Sequence, residues 1–273
     1  MALRVVKVIL AVAVLLVGIA LIRTVLNRPH HAVLEPATPQ AVDKDAVAKH
    51  LAGAIAIKTI SFQLPWEIRG DEFKNLHEYL AATFPHVAAG LKRETVANNA
   101  LLYTWPGTDA AAPPIVLLAH LDVVPVDKSS EKDWTHPPFA GEIADGYVWG
   151  RGALDDKGCV VSILEAAEAL LSTGFTPKRT IYFAFGSDEE IGGTTAKAIA
   201  ELLKSRGVMA EFTLDEGAAI TQGLVPGVAA PLALVGLGEK GYVTLELTVK
   251  GEGGHSSQPP DHTSIGVLSQ AVV

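Results

Sequence analysis

The chain reads as an α/β fold, a mixed and largely parallel sheet flanked by helices, followed by the start of a second, α+β unit. Three observations lead there. From Leu101 to Leu214, β-like runs alternate with stretches of helical period, and such alternation indicates a sheet that is at least partly parallel. Apolar residues make up 49% of the 273 positions, enough to build a real core and unlike a disordered chain. From Gly241 the texture changes to strict alternation, Tyr242-Val-Thr-Leu-Glu-Leu-Thr-Val-Lys250, as in a half-exposed strand of a new sheet.

In chain order, Val8–Ile22 is an unbroken apolar run, flanked by Arg4 and Lys7 before it and Arg23 and Arg28 after it. With its neighbours it extends from Val5 to Leu26, long enough to cross a bilayer if Lys7 and Arg23 snorkel. Residues 1–28 are read as an uncleaved signal anchor, a single-pass transmembrane segment with the rest of the chain on the extracytoplasmic or lumenal side. A cleaved signal peptide, giving a secreted protein, is the alternative. Residues 29–42 contain three prolines and read as a linker.

Asp43–Ile60 carries Val47, Leu51 and Ile55 at helical spacing, and Glu72–Phe84 is a second helix closed by Pro85. Leu101–Trp105 and Ile115–Leu121 are β-like. Asp122–Gly152 has little periodicity and is long for a structureless connection, a length at which loops are often functional. Helix Gly158–Ser172, strand Arg179–Gly186, helix Thr194–Arg206 and strand Met209–Leu214 follow. The expected division is a domain over 43–238 and the beginning of another over 239–273, with a last helix from about Thr263. There is no internal repeat.

A formal charge of −8 argues against nucleic acid as a partner, because phosphates call for a basic patch. Cys159 is the only cysteine, so an intramolecular disulfide and a multi-thiolate zinc site are both excluded. Cys159 reads as a small buried hydrophobe. Any metal must be held by His, Asp and Glu.

Four signatures fall at strand ends or in the loops leaving them, where open α/β sheets place their ligands. His120-Leu-Asp122 ends the run Ile-Val-Leu-Leu-Ala, and residues two apart on a strand share a face. Asp122 can then orient the imidazole through one nitrogen while the other binds a metal. Gly150-Arg-Gly-Ala-Leu-Asp-Asp-Lys-Gly158 sets two adjacent carboxylates, Asp155 and Asp156, before a helix; either also serves as a plain N-cap. Ser187-Asp-Glu-Glu-Ile-Gly-Gly193 leaves the strand Tyr182-Phe-Ala-Phe185, and Leu214-Asp-Glu-Gly217 leaves the last strand. Singly each is a common surface motif. Together they supply one imidazole and several hard oxygen ligands, a set that suits zinc, with cobalt or manganese as alternatives.

These four motifs resemble, in order and spacing, the metallopeptidase and amidohydrolase family of carboxypeptidase S, aminoacylase-1, glutamate carboxypeptidase and the N-fatty-acyl-amino-acid hydrolases, from roughly residue 45 to the end. The N-terminal anchor is similar to that of carboxypeptidase S. The resemblance implies a zinc-exopeptidase type of catalytic domain with two zinc ions. It implies that His120 and Glu216 are ligands of one metal, Asp155 the bridging carboxylate, cis-bonded to Asp156, and Glu190 a ligand of the other. Asp122 orients His120, and Glu189 takes the proton of the attacking water and returns it to the leaving amine. His255, in Gly251-Glu-Gly-Gly-His-Ser-Ser257, resembles a substrate-binding histidine of the family's lid domain, sometimes used across a homodimer. His136, in Trp134-Thr-His-Pro-Pro-Phe139, is read as structural.

The implied activity is a carboxypeptidase releasing a C-terminal amino acid from a peptide. An N-acyl-amino-acid amidohydrolase is the alternative, and a membrane-anchored binding module that has lost catalysis is a non-enzymatic one. Members of the family continue through the rest of the lid to a late histidine that completes the second metal site. None of the nine histidines here matches it, so the expectation is a C-terminally truncated piece of a longer hydrolase, itself impaired.

Overall fold

A computed structural model describes residues 2–26, 41–62, 70–217, 220–238, 240–251, 253–255 and 257–273. Helix α1 (Ala2–Leu26) is apolar from Val8 to Ile22, with Arg4 and Lys7 before that stretch and Arg23 after it. Within the 23 residues Arg4–Leu26 a stretch of 18 has a mean hydropathy of 3.1, long and apolar enough to cross a membrane, and none of that stretch is buried against the rest of the chain. Most of the expected linker lies outside the described residues.

Helix α2 (Lys44–Ala56) is capped by the Asp43 carboxylate, which accepts from Asp45 N and Ala46 N, and so starts where the sequence places it. Helix α3 (Gly70–Thr83) buries Phe73, Leu76 and Leu80, the i, i+3, i+7 stripe of an amphipathic helix. Pro85 does more than close it. With its φ already helical and no N–H to satisfy, it opens a further short helix, α4 (Pro85–Gly90).

Strands β1 (Lys92–Val96), β2 (Ala100–Trp105), β3 (Ile115–His120), β6 (Ile181–Gly186) and β7 (Phe212–Leu214) form one sheet in the order β1-β2-β6-β3-β7. The sheet is mixed: β1, β2 and β6 are joined antiparallel, whereas β6, β3 and β7 run parallel. Strand β1 is absent from the sequence reading because Lys-Arg-Glu-Thr-Val carries a polar pattern suited to an exposed edge. The segment read as an irregular loop contains a hairpin, β4 (Glu142–Ala144) and β5 (Tyr147–Trp149). Its turn residues Asp145 and Gly146 both have positive φ (53° and 81°), the primed-turn geometry that the Asp-Gly pair favours.

Helices α5 (Lys157–Ser172) and α6 (Thr194–Ser205) are the parallel crossovers. Alternation along the strands sends Leu101, Tyr103, Trp105, Phe183 and Phe185 to one face, against α2, α3, α4 and α5. Ala100, Leu102, Val116 and Ala184 go to the other face, against Ile199 and Leu203 of α6. The result is a helix–sheet–helix sandwich in which β3 and β6 are central, so their C-terminal ends open onto one crevice.

Residues 240–251 are not a strand. Tyr242, Leu245 and Leu247 are exposed, and no described segment pairs with them. Alternation supplies a strand with a face, but the ladder also needs a neighbour to take its N–H and C=O groups. A two-rung pairing of β8 (Ile220–Thr221) with β9 (Leu232–Ala233) and a final helix α7 (Ser264–Val272), capped by Thr263, complete the described structure.

Candidate metal centre

The site starts from β3. His120 is its last residue and Asp122 lies two further on; both are buried. The His120 Nδ1 faces the Asp122 carbonyl oxygen at 3.0 Å and its carboxylate Oδ1 at 3.2 Å, which leaves Nε2 pointing into the crevice. There Nε2 meets Asp155 Oδ1 at 2.8 Å, Glu216 Oε1 at 3.5 Å and Glu189 Oε2 at 4.0 Å. Asp155 ends the glycine-rich turn and is joined to Asp156 by a cis peptide bond. Gly150 makes that turn possible: at φ 150°, an added Cβ would lie 2.5 Å from Ile55 Cγ2.

Asp156 is fully buried. Its Oδ2 accepts from the His120 backbone N–H at 3.1 Å, whereas Oδ1 has no hydrogen-bond partner among the described residues. Burial pushes this carboxyl above the usual range, against the pull of Cys159 and His120. Glu189 and Glu190 follow β6, and their backbone N–H groups donate to the two Asp122 oxygens at 3.1 and 3.3 Å. Glu216 follows β7.

Two groups of donor atoms result, His120–Asp155–Glu190 and His120–Glu189–Glu216, each with its atoms within 4.8 Å of one another. Tetrahedral zinc with bonds near 2.1 Å holds its ligand atoms about 3.4 Å apart, so imidazole plus carboxylates at these separations fit a divalent ion after small side-chain shifts.

Electrostatics agree with that reading. Burial opposes charge on His120, but the hydrogen bond and charge of Asp122, with Asp156 and Glu216 behind it, raise its pKa to about 10. Burial and the charge of Asp156 push Glu216 up to about 7. Glu189 and Glu190 are also raised, first by burial and then by the neighbouring carboxylates, with His120 opposing. Acids crowded this closely need a cation among them; a protonated His120 or a metal ion meets that need.

Three supporting residues escaped the sequence reading. Ser61 Oγ donates to Asp122 Oδ2 at 2.6 Å. Asp188 accepts from Thr194 N at 3.0 Å and Thr195 N at 2.9 Å, anchoring the start of α6 and thereby the loop carrying Glu189 and Glu190. Lys157 is buried and donates to Ala54 O at 2.9 Å and Ile57 O at 2.5 Å, tying the end of α2 to the start of α5. Only Asp188 left a local signal, an acid six residues before a Thr-Thr helix start.

His255 is exposed and, among the described residues, its ring is hydrogen-bonded only to Ser257, so the structure does not bring it to the cluster. Tyr242 and Thr244 of the same region do line a cleft of about 730 Å³ with Glu189, Glu190 and Gly192. His136 contacts Glu142 at 2.6 Å and packs on Trp149, in keeping with its structural reading. Cys159 is half-buried, with its thiol pushed up to about 12 by burial and Asp156, an inert group.

A strand-end crevice on an α/β sheet, carrying one oriented imidazole ringed by carboxylates from three other loops, defines the class: an α/β protein with a metal centre of the kind found in metal-dependent hydrolases. The particular family follows from comparison. The model of peptidase family M20/M25/M40 matches residues 116–272, more than half of the chain, and the protein belongs to that family. It is 48% identical over 234 residues to a probable carboxypeptidase S-like 2 of Dictyostelium discoideum, covering 83% of this chain and 44% of that protein. It is 42% identical over 270 residues to the N-fatty-acyl-amino acid synthase/hydrolase PM20D1 of Xenopus tropicalis, covering 95% of this chain and 51% of that one. The chain thus spans about half the length of these curated relatives. Among solved structures, human carnosine dipeptidase 1 aligns with a TM-score of 0.54 at 22% identity, over 65% of this chain and 40% of that one. An M20 family metallo-carboxypeptidase from Sulfolobus solfataricus aligns with a TM-score of 0.52 at 20% identity, over 66% and 38%. At these identities the two structures establish the fold alone.

Proposed function

We propose that the protein is a metal-dependent amide hydrolase that releases a C-terminal amino acid from a peptide. The observation that carries the proposal is the convergence of His120, Asp155, Glu189, Glu190 and Glu216 from four separate loops onto one crevice. His120 and Glu216 would hold one zinc ion, Glu190 a second, and Asp155 would lie between them; cobalt and manganese suit the same ligands. When bound, the metal polarises the scissile carbonyl and makes water a stronger acid.

The chain's own residues do the rest. Asp122 fixes the His120 ring by holding Nδ1, so that Nε2 stays aimed at the ligands. Asp122 also accepts from the backbone of Glu189 and Glu190, which keeps both acids on the same side of the crevice. Glu189 is proposed as the proton carrier, taking a proton from water and handing it to the leaving amine. Its partial burial, with its acidic neighbours and against the pull of His120, raises its proton affinity above that of an ordinary carboxylate, the direction that suits a general base.

Hydrolysis of N-acyl amino acids is the second reading, supported by the 42% identity with the Xenopus relative. Residues 239–273 are proposed as the beginning of a lid domain, through which a homodimer could bring His255 to substrate. The α1 helix is proposed as a membrane anchor that holds the catalytic domain outside the cytoplasm or in a lumen.

The test compares the protein with its Glu189→Gln variant for metal content and for hydrolysis of a free-C-terminal peptide and a fatty-acyl amino acid. Activity lost with metal retained supports the reading, and the preferred substrate separates its two forms. Metal bound but neither amide cleaved would instead favour a binding module.

A further inference from the structure

Away from the metal centre, a cavity of about 190 Å³ lies between the sheet and the helices α3, α4 and α5. Leu80, Phe84, Val87 and Leu164 make its walls apolar, and its polar end is formed by Arg93 and Tyr103. These two face each other directly across the β1–β2 ladder, so their side chains leave the same face of the sheet. Tyr103 is buried, and Arg93 lies against its hydroxyl.

Arg93 differs from the cations around it. Lys92 and Arg206 pair with Glu94, and Arg179 lies 3.9 Å from Glu211. Arg93 has no carboxylate partner among the described residues and donates only to the His77 carbonyl, at 3.2 Å. A guanidinium with spare donors stands beside a tyrosine hydroxyl at the end of an apolar hole, in a chain whose formal charge is −8. An apolar cavity of this kind holds water poorly, and it is the complement of an aliphatic tail. Arg is the side chain suited to a carboxylate head.

We propose that this cavity is a second ligand site, for a medium-chain aliphatic monocarboxylate whose tail lies between α3, α4 and α5 and whose carboxylate meets Arg93 and Tyr103. The volume sets the tail: at roughly 30 Å³ for each water-sized group, about six such groups fit, the size of hexanoate. None of the lining residues belongs to the metal centre, so the proposal stands whether or not the proposed reaction is correct.

The probe is hexanoate, titrated into the full chain by calorimetry, with hexanol as the uncharged control. Arg93→Gln should weaken hexanoate by about 10-fold or more, the usual effect of removing a charge-assisted hydrogen bond, and leave hexanol nearly unchanged. Tyr103→Phe should weaken hexanoate less. Ala81→Phe, which fills the cavity, should abolish binding of both. Arg93 is exposed and its variant is expected to fold; circular dichroism checks each protein. Absence of hexanoate binding to the parent overturns the proposal. So does binding that survives both Arg93→Gln and Ala81→Phe, since the carboxylate would then sit elsewhere, the metal centre included.

Discussion

Asp122 joins more of the site than any of the proposed ligands does, and its replacement by Asn isolates what that junction contributes. The carboxylate is fully buried and accepts from His120 Nδ1 at 3.2 Å, Ser61 Oγ at 2.6 Å, Glu189 N at 3.1 Å and Glu190 N at 3.3 Å. Burial would raise its pKa, but these donors and the charge of His120 hold it below the ordinary carboxylate range. Asparagine keeps the volume, removes the charge and replaces one acceptor oxygen by a donor. With the amide nitrogen on the His120 side, two donors would face it. The milder orientation turns it towards Ser61, whose hydroxyl can rotate to accept, and leaves Glu190 N unpaired. In either case the imidazole loses its anionic partner. Loss of such an orienting group typically costs about 10- to 100-fold in metal affinity, or about 1.4–2.7 kcal/mol. Competition between the protein and a chromophoric chelator for Zn²⁺ at fixed pH reads this directly, and circular dichroism confirms the fold. In the metal-free protein the His120 pKa should also fall from about 10, since the hydrogen bond and charge of Asp122 are what raise it against burial. Ser61→Ala should weaken Zn²⁺ in the same direction but by less. A folded Asp122→Asn protein that binds Zn²⁺ within twofold of its parent would falsify the orienting role.

Protons should compete with metal: Glu216 titrates at about 7 and His120 at about 10 in the metal-free protein, so affinity should rise from pH 6 to 8. Calorimetry in buffers of different ionisation enthalpy should register proton release, and a pH-independent affinity would count against the ligand set. Lys157→Met leaves Ala54 O and Ile57 O without their donor, at a cost of about 1–3 kcal/mol for each buried group, measurable by urea unfolding. Burial drives Lys157 down to about 7, against the pull of Glu72 and Asp122. Above that pH the unfolded chain still binds the proton and the folded chain does not, so this group makes stability rise between about pH 7 and the ordinary lysine value near 10.4. That rise should be missing in the Met variant. Phe185→Ala, fully buried between Tyr103 and Phe183, should lose about 3–5 kcal/mol in the same assay; a loss below 1 kcal/mol would mean that the core is not packed as described.

What could be read from the chain alone depended on whether a residue's role is set by its local sequence or by a distant partner. His120 and Asp122 share a face because β3 has a period of two, and Glu189, Glu190 and Glu216 lie just past strands that their apolar runs announce. The longer helices were legible for the same reason, since caps and apolar stripes are local, whereas the short α4 was not. Ser61 was not, because its only signal is an acceptor 61 residues away, brought close by the bridge between Ile60 and Val123. Lys157 reads in sequence as one more charge beside two acids; only the fold turns it inward onto carbonyls 103 and 100 residues earlier. Strand β1 and residues 240–251 fail in opposite ways. The first has a polar sequence that becomes a strand because β2 offers it an edge, and the second has an alternating sequence that stays irregular because no described segment does. Pairing, not pattern, decides both. The same reasoning explains why the proposed ligands were legible and their support was not: His120, Glu190 and Glu216 lie at or just past the ends of their own strands and Asp155 lies in a glycine-rich motif, whereas Ser61 and Lys157 act on atoms that chain distance conceals.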